Sequence, residues 1–141
     1  MTQEDKELLL KDICARLPYG IKVRYSSYKE FITCTLLSIN PIYNNVDLWS
    51  KNACFNPVSI SKIKPYLFPL SSMTEEQKKE SPFESSLLNA FINGYISLFE
   101  DEELTVDDIV GMLNWFNKNH FDYRGLIEKG LAIDATGLNI Y

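Results

Sequence analysis

The sequence predicts a single α+β domain, and three observations support this. Apolar residues recur at helical spacing at the start of the chain. Alternating and β-branched residues fill positions 21–60, and helical spacing returns in the second half. The length of 141 residues fits one domain. We expect residues 1–70 to form a helix and a small antiparallel sheet, curled or barrel-like. We expect residues 71–141 to be mainly helical.

The first predicted element is an amphipathic helix over residues 3–17. Leu9, Ile13 and Leu17 recur at helical spacing, with charged residues between them. The segment 2–5 begins the helix with a pattern close to a capping box. Pro18 and the glycine after it end the run.

Four short strands are predicted next. Residues 21–25 alternate apolar and basic side chains, which is typical of a strand with one buried face. Residues 31–39 are rich in β-branched and apolar residues, and shorter strands are expected near 46–49 and 57–60. Because the turns between these segments are short, we expect an antiparallel sheet.

The segment from Ile60 to Leu70 differs from the strands before it. Pro65 and Pro69 stand four residues apart, and prolines disfavour both a central strand and a long helix. The sequence therefore predicts an extended, proline-bounded strap packed on the body of the domain.

The second half has repeated helix signals. Thr74 begins a capping box, and Pro82 is expected as the first residue of the next helix. Residues 83–99 carry a broad apolar face at helical spacing, and Thr105 caps a further helix. We expect a turn, a short helix near 123–129 and a final extended piece.

The net charge of −5 hides an asymmetry between the two halves. Residues 1–70 carry nine Lys or Arg against six acids, whereas residues 71–141 carry five against thirteen. Opposite signs indicate attraction within the fold or two faces with different partners. No basic run exceeds alternate lysines, so a nucleic-acid partner is not expected. The acidic start lacks the pattern of a signal peptide and no apolar run reaches membrane length, which predicts a cytoplasmic protein without membrane contact.

The side chains that carry chemistry are few. Cys14, Cys34 and Cys54 form no CxxC pair, so neither a disulfide framework nor a zinc site is predicted. His120 is the single histidine, with Asp122 close by in sequence. The acidic run 100–103 lacks the ligand order of a calcium loop, and no phosphate-binding glycine motif occurs. No metal, cofactor or catalytic residue is predicted, and the chain is not expected to be an enzyme.

Three segments carry a family resemblance, namely MTQEDKELLLKDICARLP, KPYLFPLSSMTEEQKK and NKNHFDYRGLIEKGLAIDA. They resemble a family of small proteins encoded by gut Bacteroides-type bacteria and their phages. The resemblance covers roughly half of the chain. It implies a bacterial cytoplasmic or phage setting, and it transfers no activity, ligand or site residue.

The leading functional hypothesis is a non-enzymatic binding or adaptor protein that acts through a protein–protein interface. The candidate interaction surface joins the strap to the segment 120–124 and consists of Lys62, Lys64, Tyr66, His120, Asp122, Tyr123 and Arg124. The protein partner is unidentified, and self-association into a homo-oligomer is left open.

Two alternatives use other residues. A small-molecule or nucleotide-binding (sequestering) protein would need Arg24, Lys62, Lys64 and Arg124 to converge on phosphates, with Tyr66 or Tyr123 stacking a base. An enzyme would rely on His120 with Asp122.

Overall fold

The computed structural model describes residues 1–94 and 105–141. Its helices are α1 (Gln3–Arg16), α2 (Glu75–Glu80), α3 (Ser85–Ile92) and α4 (Val106–Lys118). Its strands are β1 (Lys22–Ser26), β2 (Phe31–Asn40), β3 (Asn45–Ser50), β4 (Ala53–Ser59), β5 (Ile63–Pro69), β6 (Phe121–Asp122) and β7 (Ile133–Asp134). The α+β class is therefore confirmed. No helix of these two ranges is long and apolar enough to cross a membrane.

Helix α1 forms where the sequence predicts it. The Thr2 side chain accepts a hydrogen bond from the Asp5 N–H, and the Asp5 carboxylate accepts one from the Thr2 N–H. This capping box satisfies two backbone donors that have no partner inside the helix. A 3-10 turn containing Pro18 follows, and Gly20 adopts a φ of 70° that glycine tolerates best.

The strands form one sheet in the order β4-β3-β2-β1-β5-β6, with β7 also paired to β5. The pairings from β4 to β5 are antiparallel, whereas β5 pairs with β6 and β7 in parallel. The sheet is open, with β4 and β6 at its two ends, so the predicted barrel-like closure is wrong. Only two residues of β6 pair with β5.

The predicted proline-bounded strap is instead strand β5, inside the sheet. Pro65 is the last residue of β5 that pairs with β1, opposite Val23. Beyond it β5 pairs with β6 and β7, and Pro69 is its last residue. A proline's missing N–H disrupts a strand least where a ladder ends, and this is why the prolines do not exclude β5 from the sheet.

One face of the sheet is covered by α1 and by the turn at residues 126–132. Leu9 and Ile13 of α1 pack on it and are fully buried. The turn contributes Leu126, Leu131 and Ala132 to this core. The strands and the residues next to them contribute the rest, namely Ile21, Val23, Cys34, Leu36, Val46, Leu48, Val58, Ile60, Ile63 and Leu67. The opposite face carries the alternate residues of each strand, and at the end of β5 its Phe68 packs against the second hydrophobic cluster.

The second half contributes a smaller cluster around Phe116 and Phe121. Capping boxes at Thr74 and Thr105 begin α2 and α4 as predicted. Helix α3 begins at Ser85, three residues after Pro82, so Pro82 is not its first residue. The rest of the predicted helix 83–99, and the acidic run 100–103, extend into 95–104, outside the described residues.

The prediction of a mainly helical second half is not confirmed by the described residues. Residues 126–130 form a turn instead of the short helix expected near 123–129. The final extended piece is present as β7. The second half also contributes β6, which adds to the sheet beside β5.

Candidate functional site

The two segments of the predicted interaction surface are adjacent. The Phe68 N–H donates to the His120 carbonyl at 2.9 Å, and Pro69 stands opposite Asp122 in the β5–β6 pairing. Only one of the seven predicted side chains is exposed, however. Tyr66, His120 and Asp122 are buried, Lys64, Tyr123 and Arg124 are half-buried, and Lys62 is exposed. This arrangement gives the segment 120–124 a packing role.

A buried ion pair on α1 organises that segment. The Arg16 Nε lies 2.8 Å from Asp12 Oδ2, and both side chains are fully buried. Nη2 of Arg16 donates to Asp12 Oδ1 at 3.0 Å and to the Phe121 carbonyl at 2.7 Å. Arg124 approaches the same carboxylate, with its Nε 3.5 Å from Oδ1. The spacing of Asp12 and Arg16 at i, i+4 was a sequence signal for this pair, and sequence reasoning missed it.

His120 packs between this network and the last residue of the chain. Its ring stacks on Tyr141 with 3.9 Å between centroids, and its backbone φ is 59°. Burial, together with the positive charge of Arg16, lowers the pKa of His120 to about 4. The Tyr141 hydroxyl donates to the Tyr66 carbonyl at 2.8 Å and accepts from the Lys22 N–H at 3.2 Å. Burial raises the pKa of Tyr141.

The pair of His120 and Asp122 expected for an enzyme is not formed. Both carboxylate oxygens of Asp122 accept backbone N–H groups, from Leu126 at 3.0 Å and Ile127 at 2.8 Å. His120 lines neither the cavity around Lys22 and Trp49 nor the one beside Leu70 and Asp122. Asp122 therefore holds the turn after β6 and does not orient the imidazole.

The open face of the sheet presents a different set of side chains. We use the name open face for Lys22, Arg24, Phe31, Thr33, Thr35, Trp49 and Lys64, which the strand registers place on the side away from α1. Lys22 stands opposite Thr35, and its Nζ donates to the threonine hydroxyl at 2.7 Å. Trp49 is the next residue across and is 47% exposed. Alternation along β1 therefore brings cations and aromatic rings onto one surface.

A cavity of about 540 Å³ lies on the open face, and we call it the sheet cleft. Lys22 and Lys51 supply the charge of the sheet cleft, and Trp49 supplies an aromatic ring. Three residues with hydroxyl groups supply further hydrogen-bonding groups. The complete lining is Lys22, Ile32, Thr33, Cys34, Thr35, Trp49, Ser50, Lys51 and Ile140. None of these lining residues, all from the described ranges, is acidic.

Beside the sheet cleft, two cations stand directly opposite each other. Arg24 of β1 and Lys64 of β5 are register partners, and like charges in this position are destabilising. The Arg24 guanidinium lies 4.5 Å from the centroid of the Phe31 ring, and its buried Nε has no hydrogen-bond acceptor. The ion pairs of the described residues do not include Arg24 or Lys64. Neither cation is therefore neutralised by an ion pair with a described acid, and Asp47, on the same face two residues before Trp49, instead accepts from the Ser38 hydroxyl.

Among the residues that the structure describes, the cysteines and acids offer no metal site. Cys34 and Cys14 have their thiol pKa raised by burial, and the described ranges contain no group of three His, Cys, Asp or Glu residues suited to a metal ion. A smaller cavity of about 270 Å³ lies between the end of β5 and the turn 125–128, and its lining includes Asp122 and Glu128.

Comparison of the chain with protein-family models, with curated protein sequences and with solved structures found no match. The resemblance to small Bacteroides and phage proteins therefore stays a prediction.

Proposed function

We propose that the chain is a non-enzymatic binding protein that holds an anionic ligand of nucleotide size in the sheet cleft. The observation that carries the proposal is the combination of Lys22 and Lys51 with the exposed ring of Trp49 in one cavity of about 540 Å³. Ligand cavities of about 300–1,000 Å³ accept small molecules of this size.

The charge of the sheet cleft favours an anion. Its described lining carries two lysines and no acid. Ammonium groups bind phosphates as point charges. Hydroxyl groups of Thr33, Thr35 and Ser50 supply further donors and acceptors to a phosphate or sugar.

The aromatic ring favours a ligand with a flat, aromatic part. Trp49 is 47% exposed on a strand, where its backbone is fixed by pairing on both sides. Nucleobases stack on such rings, and each stack is worth roughly 1–3 kcal/mol. A nucleotide therefore matches both the cations and the ring, whereas a simple inorganic anion uses only the cations.

Binding is favoured over catalysis by what the described lining contains. Proton transfer in enzymes is carried most often by imidazole or carboxylate groups, and the described lining of the sheet cleft holds neither. The Cys34 thiol is 1% exposed and its pKa is raised by burial, which disfavours the thiolate form that a nucleophile needs.

The test is titration of the protein with AMP, ADP and ATP, followed by tryptophan fluorescence. The chain has two tryptophans, and Trp115 packs on Phe121 in the second cluster. Trp115→Phe therefore leaves Trp49 as the single reporter, and we expect nucleotide to quench it. The free energy of unfolding should rise in parallel, by about 2.7 kcal/mol when the concentration of free ligand is about 100 times Kd.

Matched variants decide whether the sheet cleft is responsible. Lys51→Ala should weaken nucleotide binding, whereas Lys79→Ala, which removes an exposed lysine of α2, should leave it unchanged. Unaltered fluorescence and melting temperature at millimolar concentrations of all three nucleotides would overturn the proposal.

A second proposal keeps an adaptor role through a protein interface, on a separate observation. Ile42 and Tyr43, at the tip of the β2–β3 hairpin, are 82% and 73% exposed. Adjacent apolar and aromatic side chains of this kind serve as interface anchors. The double variant Ile42→Ser/Tyr43→Ser should no longer capture a partner protein that the unaltered chain captures. If the partner is a second copy of the chain, the variant should lose its self-association in size-exclusion chromatography. The control Lys79→Ala should behave as the unaltered chain does. Equal capture and equal size for both variants would reject this interface.

A further inference from the structure

We propose that the ligand of the sheet cleft is single-stranded nucleic acid, and that the strand continues beyond the cleft along the open face to the β1–β2 hairpin. This inference rests on the proposed function, since the cleft supplies the first nucleotide position. Three features of the open face carry it: a row of cations, an accompanying row of aromatic rings, and a length greater than one phosphate can bridge.

The row of cations begins at Lys22 and runs along β1 and β5. Arg24 is two residues beyond Lys22 on the same face, and Lys64 stands opposite Arg24. Lys62 precedes Lys64 and lies at the hairpin end, with its Nζ 4.8 Å from the centroid of the Tyr28 ring. None of the four belongs to an ion pair among the described residues. The row is therefore free to neutralise phosphates.

Exposed aromatic rings follow the same path. Trp49 stands at the sheet cleft, Phe31 beside Arg24, and Tyr28 beside Lys62. Phe31 is 68% exposed and Tyr28 is 96% exposed. Proteins that bind single strands combine a basic path for the backbone with rings on which bases stack. The open face, together with the adjoining β1–β2 hairpin, repeats this combination three times.

The row of cations is longer than a single phosphate group. Two residues along a strand cover about 7 Å, and adjacent strands lie about 4.8 Å apart. A ligand with several phosphates therefore engages more of the row from Lys22 past Arg24 to Lys62 than a single phosphate does. A duplex would match the charge, but its bases are paired and stacked on each other, so Trp49, Phe31 and Tyr28 would have no base to contact.

The sequence-based expectation that nucleic acid is not a partner depended on the absence of a run of neighbouring basic residues. The cations of the open face alternate with core residues on β1 and are brought beside those of β5 only by strand pairing. An acidic peptide would satisfy the same cations and would leave the three rings without a role.

The test measures fluorescence anisotropy of labelled oligothymidylates of about two, four and eight nucleotides, a range that spans common site sizes. We expect affinity at about 50 mM salt to rise with length until the open face is filled. The double variant Arg24→Ala/Lys64→Ala changes residues outside the cleft lining. It should weaken binding of the longest strand at least about tenfold and reduce the salt slope by roughly 1.4, at about 0.7 per lost phosphate contact.

Controls separate this inference from the proposed function. The same double variant should bind AMP as the unaltered protein does, and Lys79→Ala/Lys118→Ala should bind the longest strand normally. Phe31→Ser should weaken the longest strand at least about fivefold, because one stacked base is lost. Circular dichroism and melting temperature establish that each variant is folded.

Four outcomes would overturn the inference. Affinity that does not depend on length, with AMP still bound, would reject the extended strand and leave the nucleotide proposal standing. Equal affinity for a duplex of the same length would reject the single strand. Full competition by polyglutamate at equal charge concentration would assign the open face to an acidic peptide. Failure of both AMP and oligonucleotide to bind would reject the proposed function together with the inference.

Discussion

Arg24 stands directly opposite Lys64 across the β1–β5 pair, and neither forms an ion pair with an acid of the described residues. Opposed like charges on neighbouring strands lower stability, whereas opposite charges in that position contribute roughly 0.2–1 kcal/mol. A pair of like charges that lowers stability and has no acid to neutralise it is typical of a binding site. The first prediction follows from this relationship.

Lys64→Glu should raise the free energy of unfolding by about 0.2–1 kcal/mol, because the repulsion from Arg24 becomes attraction. The same change should weaken oligonucleotide binding. Urea denaturation and anisotropy measure the two effects. Lys64→Gln is the control and should give a smaller gain in stability, and a loss of stability in Lys64→Glu would contradict the argument.

Arg16→Ala should destabilise the fold by about 3–5 kcal/mol, because it leaves the buried Asp12 carboxylate without its main partner. Chemical denaturation measures the loss. Lys11→Ala, on the exposed side of the same helix, should change stability by less than about 0.5 kcal/mol. The double variant Asp12→Ala/Arg16→Ala should cost less than the sum of the two single variants, because no lone buried charge remains. Simple additivity would contradict a coupled pair.

Stability should fall as the pH is lowered from about 6.5 to 4, because of His120. The unfolded chain binds a proton there near pH 6.5, whereas the folded pKa is about 4. Between these values the unfolded state holds more protons, so acidification favours unfolding, by up to about 3 kcal/mol. His120→Asn tolerates the positive φ and should flatten the pH profile in this window, although it lowers the baseline stability.

The two capping boxes that contain an aspartate titrate at lower pH and serve as an internal comparison. Hydrogen bonds from Thr2 and Thr105 lower the pKa of Asp5 and Asp108 from 3.8, so these carboxylates contribute above that value and lose their contribution below it. An unchanged slope between pH 6.5 and 4 in His120→Asn would show that His120 is not its source.

Thr105→Ala should destabilise α4 by about 1 kcal/mol, because it removes the acceptor for the Asp108 N–H. Thermal denaturation measures the loss. Thr105→Ser, which keeps the hydroxyl, should retain most of the stability. Equal losses in the two variants would argue that the methyl group, and not the cap, is responsible.

Local signals in the sequence were reliable where one short segment determines the outcome. The capping boxes at Thr74 and Thr105 are formed, and the alternation over 21–25 is strand β1 with Val23 in the core. These features depend on residues within a few positions of one another, so no knowledge of the fold is needed to recognise them.

Features that depend on pairing between distant segments were not predictable. Pro65 and Pro69 were interpreted as excluding a central strand, yet β5 lies inside the sheet because its ladder with β1 ends at Pro65. The candidate residues Tyr66, His120 and Asp122 are expected on the surface, although all three are buried. The juxtaposition of Arg24 and Lys64 depends on register, which a single sequence does not reveal.

Strand β1 contributes to both the hydrophobic core and the open face with the same five residues. Val23 lies on the covered face, and Lys22 and Arg24 lie on the open face. A shift of one residue exchanges the two faces of a strand. A single inserted residue before Lys22 would therefore direct lysine and arginine toward Leu9 and Ile13 and remove the basic row at the same time. Related chains should consequently differ here by replacement in place, and gain or lose residues only in the hairpin loops.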